Sequence, residues 1–381
     1  MKKAIFITNI PNPYRIPLFN EINKQFSEMQ VKLKVVFGSE GYKRRMFHLD
    51  LNEIKFDFEI LDDKAHTFSE DGEKTLFFYR GLLKLLRREK PDAVIVAGFS
   101  SATMQVLLYK ILSGTPYIIY SGSIETKSRN TSFLRKLQRS LLLKSSNAFV
   151  VYGNMAKQYL VNAGASENKI FIGRNTVDTT FFADNTSAIR KAKPNNNTKT
   201  HFTYVGYLVP RKNVKVLLEA IKIVAAERKD FCLDILGDGI SRPELEKYVV
   251  DNNLSAHVIF HGFRQKEELP EFFARSSGFL FQTGFDIWGL VLNEAMAAGL
   301  PCISSPNAGA TFDLIKEGET GFKIDFDDSR KAAEKITWLI DNKAEAAAMG
   351  QRASAFIRDQ VNLENAAKGF KNALECIWKQ K

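Results

Sequence analysis

Two carboxylates, Asp286 and Glu294, stand eight residues apart in a stretch (284–302) built otherwise, apart from Asn293, of glycine and apolar side chains. Asp286 lies in a turn-like run between Gly284 and Gly289. Glu294 follows one to two turns into a short helix of good helix formers (Leu290, Leu292, Ala295, Met296, Ala297, Ala298), which Gly299 and Pro301 terminate. A carboxylate among Ala, Met and Leu is costly to bury without a partner. Either Glu294 faces solvent or it has hydroxyls to bind. As a pair, the two acids could also do acid–base work.

Three further features follow expected strand ends. Gly206-Tyr207-Leu208-Val209-Pro210-Arg211-Lys212-Asn213 leads into a helix over about 214–228. Arg211 and Lys212 then sit at the helix end where cations are disfavoured, and a bound anion would remove that conflict while using the free N–H groups. Two solvated surface cations would cost only roughly a few tenths of a kcal/mol, so alone this signal favours the surface reading. Gly237-Asp238-Gly239 is a common turn. His261-Gly262-Phe263 offers backbone groups and a ring that could hold a base, although in isolation it reads as an ordinary strand exit.

The elements that must position these residues alternate. A chain of 381 residues exceeds one ordinary core and is expected to form two domains. Strands are expected at 4–8, 31–37, 93–97, 117–120, 148–152 and 169–172, with 56–61 as an edge strand. Helices are expected at 76–88 and 101–112 between them. The second half repeats the scheme with strands at 202–205, 232–236, 258–260, 278–281, 302–304 and 321–324. Continuous apolar strands alternating with helices predict an α/β fold with a doubly wound parallel sheet in each half. The polar, Asn-rich run 184–200 reads as a solvated connector. The expected division is a first domain of 1–183, a linker of 184–200 and a second domain of 201–359. Ligands of open α/β sheets sit beyond the carboxyl ends of the strands, so a cleft between two such domains is the expected site.

In this order the parts resemble the retaining glycosyltransferases of family 4 (group 1), which have the GT-B architecture of two facing Rossmann-like domains. The family's Glu-x7-Glu followed by Ala-Met-Ala-x-Gly-x-Pro stands here as Asp286 to Glu294 and on to Pro301. Its Gly-Arg-Leu-x-x-x-Lys stands as Gly206-Tyr207-Leu208 with Lys212 at its end. The resemblance is weaker in the first half, resting on Asn12-Pro13-Tyr14-Arg15-Ile16-Pro17-Leu18-Phe19 and Arg174-Asn175-Thr176-Val177-Asp178. It implies that Glu294 accepts hydrogen bonds from the ribose hydroxyls of a sugar nucleotide. Lys212 neutralises the diphosphate with backbone N–H groups around Trp288, Gly289 and Leu290. Asp286 contacts hydroxyls of the transferred sugar, and the backbone near Phe263 holds the base. It also implies a final helix, about 360–381, crossing back to the first domain. Two positions depart from the pattern. Tyr207 replaces the family's usual arginine, leaving Arg211 or Arg15 to compensate or the tyrosine hydroxyl to serve as donor, and Asp286 is one methylene shorter than glutamate. In the first half, Arg15 is the candidate for a phosphate or acceptor contact. Glu125 is the candidate to orient an acceptor hydroxyl or act as a base, although in a front-face retaining mechanism the leaving phosphate can take the acceptor's proton.

No acidic metal-binding motif is seen, so transfer without a metal is expected, with the nucleoside-diphosphate sugar as co-substrate and no other cofactor. Cys232, Cys302 and Cys376 show neither a metal spacing nor a disulfide framework, which suits a reducing cytoplasm. Five scattered histidines offer no zinc pattern. The N-terminal apolar stretch is too short for a signal peptide and reads as a first strand. No apolar run is long enough to cross a bilayer. Residues 1–193 carry 30 basic and 18 acidic side chains against 24 and 25 in the remainder. That asymmetry points to an anionic surface or ligand at the first half. No nucleic-acid motif accompanies it, so an anionic membrane or phosphorylated lipid is the expected partner, at the inner face of the plasma membrane. The basic segment 131–146, with Lys43-Arg44-Arg45 and Arg87-Arg88, adds to this charge; the leucines of 131–146 are expected to pack on the first sheet. The acceptor is accordingly expected to be a glycan or lipid-linked sugar of cell-surface polysaccharide or lipopolysaccharide. The competing readings are a catalytically weakened sugar- or nucleotide-binding protein, motivated by Tyr207 and Asp286, and a sugar-nucleotide epimerase.

Overall fold

The computed structural model describes residues 1–41, 50–61, 66–67, 75–125, 132–193 and 199–379. Lys43-Arg44-Arg45 and the end of the 120–127 loop lie outside them. The chain divides into two units, Met1–Val177 with Leu363–Lys381, and Asp178–Asn362.

The first unit is built on β1 (Lys2–Thr8), α1 (Ile16–Glu28), β2 (Val31–Phe37) and β3 (Asp57–Ile60). A short antiparallel pair follows, β4 (His66–Thr67) and β5 (Thr75–Leu76). Then come α2 (Leu82–Glu89), β6 (Ala93–Ala97), α3 (Ser101–Ser113), β7 (Tyr117–Ser121), α4 (Phe133–Ser145), β8 (Ala148–Val151), α5 (Asn154–Asn162) and β9 (Ile170–Ile172). Seven strands form one parallel sheet in the order β3-β2-β1-β6-β7-β8-β9. Ala4, Ile5, Phe6 and Ile7 are all fully buried, as a central parallel strand covered on both faces requires.

The second unit opens with α6 (Thr179–Ala192) and continues with β10 (Thr200–Val205), α7 (Val214–Glu227), β11 (Phe231–Leu236), α8 (Arg242–Asp251), β12 (Val258–Gly262) and α9 (Leu269–Arg275). It is completed by β13 (Gly278–Phe281), α10 (Leu290–Ala297), β14 (Cys302–Ser304), α11 (Gly309–Leu314), β15 (Gly321–Lys323), α12 (Ser329–Asp341) and α13 (Lys343–Gln360). Its six parallel strands run β12-β11-β10-β13-β14-β15. The last helix, α14 (Leu363–Lys379), belongs to the first unit. Phe370 on α14 packs on Phe6 and Tyr120, and Gly369 meets Gly173 so closely that a Cβ would lie 2.6 Å from the Gly173 Cα.

Three sequence expectations are corrected. Most of the supposed connector is helical: in α6, Asp178 caps the start by accepting from the Phe181 N–H, at 3.1 Å. Near its end, Arg190 donates to the carbonyls of Phe273, Ala274 and Ala298 at the ends of α9 and α10. Residues 76–88 are not one helix; α2 begins only at Leu82, after Gly81 in a left-handed conformation (φ +83°). The leucines of α4 are not all spent on the sheet: Leu142 and Leu143 are buried, whereas Phe133, Leu134, Leu137 and Leu141 are exposed.

Candidate functional site

Each sheet has one place where the connections leave in opposite directions. In the second unit it lies between β10 and β13, and the loops leaving their carboxyl ends open the crevice in which α/β sheets hold ligands. The loop after β10 contains Gly206, Tyr207 and a tight 3-10 turn, Pro210–Lys212, which Asn213 ends in a left-handed conformation (φ +45°) before α7 begins. The loop after β13 carries Asp286 and Gly289 into α10.

Lys212 is buried, and its Nζ donates to Asp286 Oδ2 at 2.6 Å. The Arg211 guanidinium binds the Phe285 carbonyl, so both cations of the first loop hold the second. Asp286 is further fixed by its own backbone, which donates to Asn307 O at 2.9 Å, and by the Trp288 N–H reaching Asp286 Oδ1 at 3.3 Å. Burial by itself would raise the Asp286 carboxyl; the Lys212 ammonium, helped by Arg211 and the Trp288 N–H, instead holds it below the usual carboxylate range. Asp286 is therefore a fixed anion rather than a proton donor at neutral pH.

Glu294 lies on α10, one turn beyond the helix start. Its Oε2 is shut off from solvent and has no hydrogen-bond partner among the described residues. Burial pushes its carboxyl up to about 7, opposed in part by Lys266. An acid with a raised carboxyl and one unpaired buried oxygen is suited to receive a ligand hydroxyl. The helix start beside it depends on Gly289, whose φ of +101° disfavours a side chain and whose Cβ would stand 2.4 Å from the Phe281 ring. Leu290 is the first residue of α10, so the N–H end of the helix opens at this point.

The Gly-Asp-Gly turn is structural. A Cβ at Gly237 would lie 1.9 Å from Gly206 O, and one at Gly239 would lie 2.4 Å from Leu208 O. These glycines let the loop after β11 pack directly on the Gly206–Lys212 loop and hold its shape. Trp288 is also scaffold: its ring is buried and its Nε1 donates to Asn293 Oδ1 at 3.0 Å, leaving only its backbone for a ligand. Phe263 is half-buried just past β12, and Tyr207 is half-buried beside Gly206.

Two residues near this site escaped the sequence reading. Tyr204 on β10 ends in a buried hydroxyl without a hydrogen-bond partner among the described residues, and it feels the charges of Asp286 and Arg211. Its strand position made it look like core, and nothing in the pattern marks the exception. Lys266 lies close enough to Glu294 to influence it, and its ammonium sits 4.2 Å from the Phe181 ring centre.

His201, Cys232 and Asp234 bring possible metal-ligand atoms within 4.8 Å of one another, a grouping the sequence spacing did not reveal. The Asp234 carboxylate is already engaged by His201 (3.2 Å), His261 (2.6 Å) and Arg275 (2.9 Å), which explains its burial without an ion.

Arg15 and Glu125 belong to the first unit. Arg15 follows β1, which with β6 forms the corresponding divergence point. Its Nη1 and Nη2 donate to the hydroxyls of Tyr120 (2.8 Å) and Tyr152 (3.0 Å), and its guanidinium lies over the Tyr14, Tyr120 and Tyr152 rings. Asn12 Oδ1 nearby in sequence is buried and unpartnered among the described residues. Glu125 is exposed in the loop after β7.

Two parallel Rossmann-like sheets of this kind define the GT-B architecture. The solved structure of Anabaena HepE in complex with UDP has this fold, with a TM-score of 0.78 and 16% identity over 98% of this chain and 100% of that one. Residues 31–181 match the model described as Glycosyltransferase Family 4, and residues 185–356 match Glycosyl transferases group 1. The chain belongs to this glycosyltransferase family. An uncharacterized 41.2 kDa protein in the cps region of Klebsiella pneumoniae is 26% identical over 69% of this chain and 76% of its own length. The Escherichia coli UDP-Gal:alpha-D-GlcNAc-diphosphoundecaprenol alpha-1,3-galactosyltransferase is 26% identical over 69% of this chain and 70% of its own length.

Proposed function

We propose that this glycosyltransferase moves a hexose-type sugar, with retention at the anomeric carbon, from a nucleoside diphosphate to a hydroxyl of a lipid-linked or glycan acceptor in cell-surface polysaccharide or lipopolysaccharide synthesis. The observation that carries the reading is the Lys212–Asp286 pair at the β10/β13 divergence, with the unpaired Glu294 carboxylate on the helix that follows. The ribose diol hydrogen-bonds Glu294, and the diphosphate lies against Lys212, Arg211 and the N–H end of α10 near Gly289. Asp286 receives hydroxyls of the transferred sugar. The anomeric carbon–oxygen bond to the diphosphate breaks while a bond to the acceptor oxygen forms on the same face, and the acceptor's proton passes to the departing phosphate. Charge developing on the diphosphate is met by fixed cations and N–H groups, the arrangement that most lowers such a barrier. Lys212 fills the role a divalent ion would otherwise have, so transfer runs without a metal. Arg15, a cation ringed by tyrosines rather than carboxylates, contacts a phosphate of the acceptor. The diphospholipid acceptor and UDP-sugar donor in the name of the Escherichia coli relative support these choices, and the UDP bound to HepE supports the nucleotide. The basic first unit works against an anionic membrane surface.

The test is hydrolysis and transfer with a panel of UDP-, GDP- and ADP-sugars, with and without EDTA. Turnover of one donor, undiminished by EDTA and reduced at least about a hundredfold in Glu294→Gln, is expected. Tight nucleotide binding without turnover across the panel would instead support a binding protein, and an unaffected Glu294 variant would remove the site assignment.

A further inference from the structure

Helices α3 and α4 of the first unit present apolar side chains outward. On α4, Phe133 is 78% and Leu134 72% exposed, and Leu137 and Leu141 are about half exposed. At 3.6 residues per turn these four fall within about 100° of arc, opposite the buried Leu142 and Leu143. On α3, Met104, Leu108, Ile111 and Leu112 follow an i, i+4, i+7, i+8 spacing and are likewise exposed, Ile111 at 71%. The two helices are packed side by side, and their ends are tied by Lys110, whose Nζ donates to Ser145 O at 2.6 Å and Asn147 Oδ1 at 2.8 Å. Single exposed apolar residues are ordinary, but two parallel stripes on neighbouring helices make a patch that water disfavours.

The charge carried by these two helices is of one sign. Neither 13-residue helix contains an aspartate or glutamate, while Arg135, Lys136 and Lys144 are exposed on α4. The inward-turned Arg139 is used within the unit, over the Phe99 and Tyr159 rings. A helix with an apolar stripe, flanking cations and no acids has the character of one that lies in the plane of a bilayer interface. Among the described residues no helix is long and apolar enough to cross a membrane.

We propose that the α3–α4 face is the surface by which this enzyme docks on an anionic lipid bilayer, with Phe133, Leu134, Leu137, Ile111 and Leu112 entering the headgroup–acyl boundary and Lys136 and Lys144 meeting lipid phosphates. This deepens the proposed function and rests on it for the reason a membrane is visited: a lipid-linked acceptor stays at the bilayer. The docking residues are separate from those assigned to the nucleotide, so the two ideas fail independently.

The experiment uses the full chain with vesicles of phosphatidylcholine alone or mixed with phosphatidylglycerol. Co-sedimentation with the mixed vesicles at low salt, weakened by added salt, is expected of the wild type. A Phe133→Ser/Leu134→Ser/Leu137→Ser variant should bind them at least about tenfold less while keeping its UDP affinity and Tm, because the three side chains support no core. A Leu137→Trp variant should show a blue shift in emission only with the anionic vesicles. Equal vesicle binding by wild type and triple variant, absence of binding by the wild type, or a lipid-independent dimer that the triple variant dissolves would each overturn the proposal. Loss of UDP binding with vesicle binding intact would overturn the function reading and leave this surface standing.

Discussion

Lys212 Nζ and Asp286 Oδ2 lie 2.6 Å apart although 74 positions separate them in sequence. The pair bridges the loops leaving the neighbouring strands β10 and β13, fixing the cation that would face a diphosphate and the acid that would face a sugar. Lys212→Met leaves Asp286 without its counter-charge. It should lower stability by about 1–3 kcal/mol and kcat/KM by about a hundredfold or more. Thermal unfolding and donor hydrolysis measured on the same preparation check both. Equal activity in wild type and variant would remove Lys212 from the chemistry.

If Glu294 holds the ribose as proposed, nucleotide binding is pH-dependent. Only the ionised form of Glu294 accepts two hydrogen bonds from a ribose diol, and burial pushes that carboxyl up to about 7. UDP affinity should therefore rise between about pH 6 and 8 and level off above, and Glu294→Gln should bind weakly with a flat profile. Stability runs the other way. The folded state holds this proton more tightly than the unfolded chain, so this carboxyl's contribution falls as pH rises from its ordinary value of 4.5 to about 7. Calorimetric titration and melting curves across that window test the two signs separately.

Gly289→Ala places a methyl group 2.4 Å from the buried Phe281 ring at a φ of +101°. The expected cost is about 1–3 kcal/mol, seen as a drop in Tm, together with weaker nucleotide binding as the α10 start shifts. A variant as stable as wild type would show that this loop relaxes freely.

Tyr204→Phe removes a buried hydroxyl that has no partner among the described residues. If the hydroxyl serves nothing, stability should rise by about 1 kcal/mol with activity unchanged. The proximity to Asp286 and Arg211 instead leads us to expect the same rise in Tm with a loss in kcat/KM, a combination that a purely structural tyrosine would not give.

The parallel sheets and the second-unit loops were legible because buried strands write themselves as apolar runs and because loop glycines and charged residues keep fixed order. Side-chain partners were less so. The spacing of Asp286 and Glu294 suggested two comparable acids. Their different environments, one beside Lys212 and one with an orphan oxygen, depend on strands brought together from distant sequence. Helix α6 looked like a connector because Asn, Thr and Ser have weak helical preference; it is held by its Asp178 cap and by contacts such as those of Arg190, which no local pattern reports. The α4 leucines were misjudged for a related reason. Periodicity places them on a face but does not say whether protein covers that face.

The meeting of Gly369 with Gly173 has a consequence for biogenesis. Helix α14, which carries Phe370 into the core around Phe6 and Tyr120, is translated only after the whole of residues 178–362. The unit begun first on the ribosome is therefore finished last, and the second can close while the first still lacks one wall. Until α14 arrives, the nascent first unit exposes the apolar sheet face that Phe370 later covers, the kind of surface that favours misassembly.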